Sequence, residues 1–136
     1  MPELDMNMMH RFYGIHDVVN QMKPERLRAL MEFRLGCLQE ELNETNQALE
    51  MKDADGFVDG LVDLVVFAVG TLDLLQVDFT EAWWRVLVAN MNKTPGIKPN
   101  RPNPLGLPDL IKNSDWVPPT HEDNTGFIKY AFEQGT

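Results

Sequence analysis

The chain has 136 residues, a formal net charge of minus nine, and 43% hydrophobic and 24% charged residues. That balance fits one globular domain with a modest core. Its acidity argues against a nucleic-acid backbone or an anionic membrane as main partner, since both select clustered Lys and Arg. The single cysteine, Cys37, allows no internal disulfide, and the opening MPELDMNMMH lacks the basic-then-apolar layout of a signal peptide. A cytoplasmic location is therefore expected.

In chain order, FYGIHDVVNQM suggests a short helix from His16 to Met22. From Glu25 to Met51 there is no proline, and Leu27, Leu30, Met31, Leu35, Leu38, Leu42 and Leu49 recur at helical spacing. One long helix is predicted, opened by Pro24 in the first turn and closed by KDADG. The following FVDGLVDLVVFAVGTLDLLQVD is rich in valine but far too long for a strand, so a second helix is predicted over Phe57 to Leu75. Asp59, Asp63 and Asp73 interrupt it, which argues against a membrane span. In DFTEAWWRVLVANMNK, Asp78 and Glu81 make a capping-box-like pair ahead of a third helix ending near Asn92.

After Lys93 the prolines leave no room for regular helix, and residues 94–136 read as an irregular arm ending in a small ordered piece, FIKYAFEQ. Trp116, Phe127, Tyr130 and Phe132 favour an arm that packs on the core or a neighbouring subunit over a disordered tail. The expected organisation is an all-α domain over 1–93 with this Pro-rich arm over 94–136. Because the helix from Phe57 to Leu75 is apolar nearly all round, the helical bundle is expected to be completed by oligomerisation.

The acidic residues pose the chemical question. At 100° per residue Glu41 and Glu44 share a face of the long helix, Glu40 nearly coincides with Glu44, and the line continues through Leu30, Arg34, Cys37 and Ala48. On the second helix Asp59 and Asp63 lie one turn apart within an apolar run. Unpaired buried carboxylates cost several kcal/mol each, and Arg34 alone cannot neutralise five of them. Glu40, Glu41, Glu44, Asp59 and Asp63 on two facing helices would instead suit a hard divalent cation with oxygen ligands. The bland alternatives are a solvated glutamate face and an Asp59 that merely favours a helix N-terminus.

EELNE followed by DGLVDLVVFAVGTLDLLQVD resembles the EExxE and ExxD motifs of the all-α nucleoside triphosphate pyrophosphohydrolases. This MazG-like group also includes phosphoribosyl-ATP pyrophosphohydrolase and the all-α dUTP and dCTP pyrophosphatases. The similarity runs from Leu27 through Lys93 into KTPGIKP and LPDL, and looks closest to short single-domain members carried by bacteriophages, which would work in the host cytoplasm. The resemblance implies Mg2+, with Mn2+ as a substitute, bound by the glutamates of the first motif and the acidic pair of the second. Glu40, Glu41, Glu44 and Asp63 are then ligands or base. The glutamate of ExxD falls at Gly60 here, so Asp59 has to stand in for it.

NMNKTP matches the family's Asn and Lys positions and implies Asn90 and Lys93 as contacts to the substrate's phosphates; a simple helix C-cap is the alternative. Arg34 can meet a phosphate or pair with Glu41, and Lys98 can contribute from the arm. Trp83, Trp84, Phe12, Tyr13 and His16 can stack on a base, or be core.

The expected activity is hydrolysis of a nucleoside triphosphate, by expectation a deoxynucleotide, to the monophosphate and pyrophosphate. Glu41 or Glu40 would act on the attacking water, in a homo-oligomer that is a dimer or tetramer. The rivals are a non-enzymatic helical dimerisation or regulatory module and a di-iron carboxylate bundle. The latter is disfavoured because neither acidic helix carries a histidine.

Overall fold

The computed structural model describes residues 1–133; Gln134, the end of the predicted FIKYAFEQ piece, lies outside them. The described residues form α1 (Pro2–Phe12), α2 (Ile15–Val19), α3 (Pro24–Glu50), α4 (Ala54–Leu74), α5 (Phe79–Met91), β1 (Thr94–Gly96), β2 (Asp109–Ile111) and α6 (Phe127–Glu133). The fold is all-α, with one small strand ladder. The chain divides into two compact units, Met1–Phe79 with the segment from Asn124 onward, and Thr80–Asp123.

In the first unit α3 and α4 form a hairpin. Lys52 reverses the chain in the left-handed region at φ 57°, and Asp53 caps α4 by accepting a hydrogen bond from the Gly56 amide at 2.9 Å. Small residues fill the crossing: Thr45 and Ala48 of α3 and Gly60 of α4 are all buried. A β-carbon on Gly60 would overlap the Thr45 hydroxyl and stand 3.1 Å from Thr45 Cβ, so the two helices touch almost backbone to backbone.

The core gathers at the other end, around Val19, Leu27, Leu74, Leu75 and Ala131. α6 enters it from the C-terminal segment: the Phe127 amide donates to the Leu75 carbonyl at 2.8 Å. Gly126, at φ 52°, lies so close to that carbonyl that a β-carbon would overlap it. Asp78 and Asn124 hold each other reciprocally. The Asp78 amide donates to Asn124 Oδ1 at 2.9 Å, and Asn124 Nδ2 donates to the Asp78 carbonyl at 2.8 Å.

Two findings differ from the sequence reading. An N-terminal helix, α1, was not predicted; Pro2 starts it, and Glu3 and Asp5 early with His10 and Arg11 late complement its dipole. The predicted apolar stripe of α3 is buried only at its start, with Leu30 and Met31 half-buried and Leu35 64% exposed. Leu27 is 1% exposed, whereas Leu42 and Leu49 are 44% and 62% exposed. On α4, Val58, Val62 and Val65 are likewise more than half exposed.

In the second unit Arg85 anchors α5 to the following loop by donating to Glu81, the Thr120 carbonyl and both oxygens of Asp123. Trp116 Nε1 donates to the Ala89 carbonyl at 2.7 Å. The arm expected to be irregular contains the antiparallel ladder, in register Thr94 with Ile111, Pro95 with Leu110 and Gly96 with Asp109. Among the described residues no helix is long and apolar enough to cross a membrane.

Candidate active site

Where α3 crosses α4, their acidic residues meet. Glu41 and Glu44, one turn apart on α3, face Asp63 of α4, and Glu41 responds to both neighbours. Its pKa is raised, first by loss of solvent around the carboxyl and then by the like charges of Glu44 and Asp63. Glu41 Oε2 is shielded from solvent and receives no hydrogen bond from any donor. The groups within bonding reach of the Glu41 carboxyl are the carboxyls of Asp63 and Glu44, which can bond it only through a shared proton. A shielded anionic oxygen among other anions requires a proton or a cation.

Asp59 is exposed, and with Glu44 and Asp63 it lines a cleft of about 280 Å3 floored by Ala48 and Gly60. Gly60, where the resemblance places a glutamate, packs so closely on Thr45 that a β-carbon there would overlap the Thr45 hydroxyl. Asp59, one turn before Asp63, presents the carboxylate at the cleft instead. Thr45 also ties the cluster to the crossing, its hydroxyl donating to the Glu41 carbonyl at 2.7 Å. Glu40 is exposed and outside the group that acts on Glu41.

Arg34 does not reach the glutamates. Its Nε donates to Thr71 Oγ1 at 2.9 Å and its Nη2 to the Phe67 carbonyl at 3.3 Å, with the guanidinium 5.0 Å over the Phe67 ring. Burial lowers its pKa from the ordinary value. Asn90, Lys93 and Lys98 belong to the second unit. Asn90 is half-buried near the end of α5, the Lys93 ammonium lies 5.1 Å over the Trp116 ring, and Lys98 Nζ is 3.8 Å from Asp109.

One polar group was missed in the sequence. Asp73 Oδ2 lies 2.7 Å from His10 Nδ1 and 2.8 Å from His16 Nε2, while Asn7 Nδ2 donates to Asp73 Oδ1 at 2.9 Å. Both histidines are buried, at 2% and 7% exposure. Burial pushes the Asp73 carboxyl upward, but the hydrogen bonds from His10, Asn7 and His16 outweigh it and leave the pKa below its ordinary value. The available signal was Asp73 itself, a third aspartate inside an apolar helix that contains no basic residue.

The donors at the crossing are all carboxylate oxygens, partly desolvated and mutually repelling, and that set fits a hard dication. No curated protein and no solved structure matches the chain at a significant level. The sequence model for phosphoribosyl-ATP pyrophosphohydrolase matches residues 12–90, more than half of the chain, including α3, α4 and both acidic stretches. The chain therefore belongs to the phosphoribosyl-ATP pyrophosphohydrolase family, whose members are nucleotide pyrophosphohydrolases.

Proposed function

We propose that this protein hydrolyses a nucleoside triphosphate, by preference a deoxynucleotide, to the monophosphate and pyrophosphate. Mg2+, or Mn2+ in its place, would be held by Glu41, Glu44, Asp59 and Asp63. The observation that carries this reading is Glu41 Oε2, shielded from solvent, without a donor, and facing two further carboxylates. When bound, the dication would neutralise phosphate charge and acidify a water.

The chain's own part is to place carboxylates where that water is deprotonated. Glu41, whose shielded Oε2 faces the neighbouring carboxyls, is the first candidate base, with Glu40 next to it as the other. As the water oxygen bonds to the α-phosphorus, its proton passes to the carboxylate. The bond from that phosphorus to the bridging oxygen breaks, and pyrophosphate departs with the electron pair. Asn90 and Lys93, by their match to the family pattern, are the proposed contacts to the anionic substrate, with Lys98 as a further contribution from the arm. Arg34 is assigned instead to holding α3 against α4, as its bonds to Thr71 and Phe67 support.

A homo-oligomer, dimer or tetramer, is part of the proposal. It is supported by the exposed apolar side chains Val58, Val62 and Val65 on α4 and Leu42 and Leu49 on α3. The test is a pyrophosphate-release screen over ribo- and deoxynucleoside triphosphates and phosphoribosyl-ATP with Mg2+ or Mn2+. Metal-dependent release from at least one nucleotide is expected. Silence across the whole panel with both ions would reject the assignment.

A further inference from the structure

Asp73 lies ten residues beyond Asp63 on α4, about 15 Å along the helix axis, so its surroundings are separate from the acidic cleft. Three elements converge there: α1 brings His10, α2 brings His16 and α4 brings Asp73. We infer that His10, His16 and Asp73 form a zinc-type site, in which His10 Nδ1, His16 Nε2 and an Asp73 oxygen hold one borderline dication.

The geometry needs little adjustment. One ligand atom from each residue lies within 4.8 Å of the others, and both ring nitrogens already aim at the same oxygen from 2.7 and 2.8 Å. Bond lengths near 2.0–2.1 Å set ligand-to-ligand separations of roughly 3.3 Å in a tetrahedral zinc site, so each nitrogen–oxygen pair would part by about half an ångström while the two ring nitrogens, within 4.8 Å of each other, settle to the same spacing. Two imidazoles and one carboxylate prefer zinc, cobalt or nickel to magnesium. His16 also lines a cleft of about 640 Å3 with Arg11, Gln76 and Phe127.

The surrounding groups are those that orient metal ligands. Gln76 Nε2 lies 3.1 Å from His16 Nδ1, and Asn7 holds the outer Asp73 oxygen. Gln76 stands at φ 63° just past the end of α4, a left-handed position usually given to glycine or asparagine. A glutamine kept there at a backbone penalty has its side chain bonded to His16, which gives that strain a purpose. The proton balance closes without loss. In the metal-free network His10 Nδ1–H and His16 Nε2–H donate to Asp73. With the ion bound, each proton moves to the other ring nitrogen, and His16 Nδ1–H donates to the Gln76 amide oxygen once that amide turns over.

The test uses the full chain, stripped with a chelator and kept in excess magnesium so that the carboxylate cleft is occupied. Titration with cobalt(II) should saturate at one equivalent with the intense visible absorption of a four-coordinate, nitrogen-ligated ion. Zinc should displace the cobalt and raise the melting temperature. His16→Ala should lose both the band and the shift. Should that variant fail to fold, nitrogen hyperfine coupling in the copper(II) spectrum of the unaltered chain reads the ligands directly. Absence of saturable cobalt binding, a weak octahedral band without nitrogen coupling, or an undiminished band in His16→Ala overturns the site and leaves a hydrogen-bonded clasp.

Discussion

Replacing Gly60 by alanine tests the link between helix packing and the acidic cleft. An added methyl group collides with the Thr45 hydroxyl, and swinging that hydroxyl aside forfeits its bond to the Glu41 carbonyl while Thr45 Cβ at 3.1 Å and Cα at 3.3 Å still crowd the newcomer. Overpacking of this kind costs about 1–3 kcal/mol, and the lost hydrogen bond about 1 kcal/mol more. Alanine returns about 1 kcal/mol of helix propensity relative to glycine. The balance is a net loss of about 1–3 kcal/mol, or roughly 3–5 °C of melting temperature per kcal/mol.

Thermal melts of Gly60→Ala, Thr45→Ala and the pair together form the assay. The double variant should lose less than the sum of the singles by about 1 kcal/mol, because removing the hydroxyl frees space for the methyl. Turnover in Gly60→Ala should fall as well, since α3 and α4 can separate only by moving Glu41 and Glu44 away from Asp63. A Gly60→Ala protein as stable as the parent or more so, gaining only the propensity term, would refute the close contact on which the site geometry rests.

Glu41→Gln and Asp63→Asn should each reduce pyrophosphate release by about 100-fold or more, while their melting temperatures hold or rise because like charges are removed; normal turnover in either would remove that residue from the chemistry. Gly126→Ala combines a left-handed backbone with overlap on the Leu75 carbonyl, and its urea midpoint should report a loss of at least about 1–2 kcal/mol. Asp123 has its pKa lowered by the hydrogen bonds from Arg85, so its contribution is complete above the unfolded value near 3.9 and is lost progressively as the pH falls from there through the lower folded value. Asp123→Asn should therefore be less stable than the parent at pH 7, with the gap narrowing as the pH falls below about 4 in denaturant titrations; a gap that does not narrow in acid would show that charge is not the cause.

The long helices were legible because their burial follows local periodicity. The sequence reading placed them at Glu25 to Met51, Phe57 to Leu75 and Asp78 to Asn92, and the structure has Pro24–Glu50, Ala54–Leu74 and Phe79–Met91. The approach of the two acidic helices was legible too, since carboxylates in apolar runs require a shared explanation. α1 was hidden because its polarity is inverted: Leu4, Met8 and Phe12 are exposed while His10 is its buried residue. An apolar-stripe reading looks for the opposite.

The His10, His16 and Asp73 cluster was hidden for a related reason, that Asp73 is 63 and 57 residues from the two histidines and the three share no helix. Pairing over that separation leaves no local pattern. The ladder of β1 and β2 consists of three-residue strands, and Pro95 within one and Pro108 beside the other mask any alternation. Gly60 shows the limit from the other side. The glycine was visible as a letter, but its close contact with Thr45 is revealed only by the fold.

The reciprocal grip between Asp78 and Asn124 has an architectural corollary. Residues 80–123 leave and rejoin the helical unit at neighbouring points, so they form a detour closed at its base, while α6 beyond it completes the core around Leu75. Insertions bounded in this way can be exchanged or excised with a short linker without rebuilding the host domain. Because α3, α4 and α6 lie outside it, a change of length within the detour leaves the contacts of the carboxylate hairpin in place.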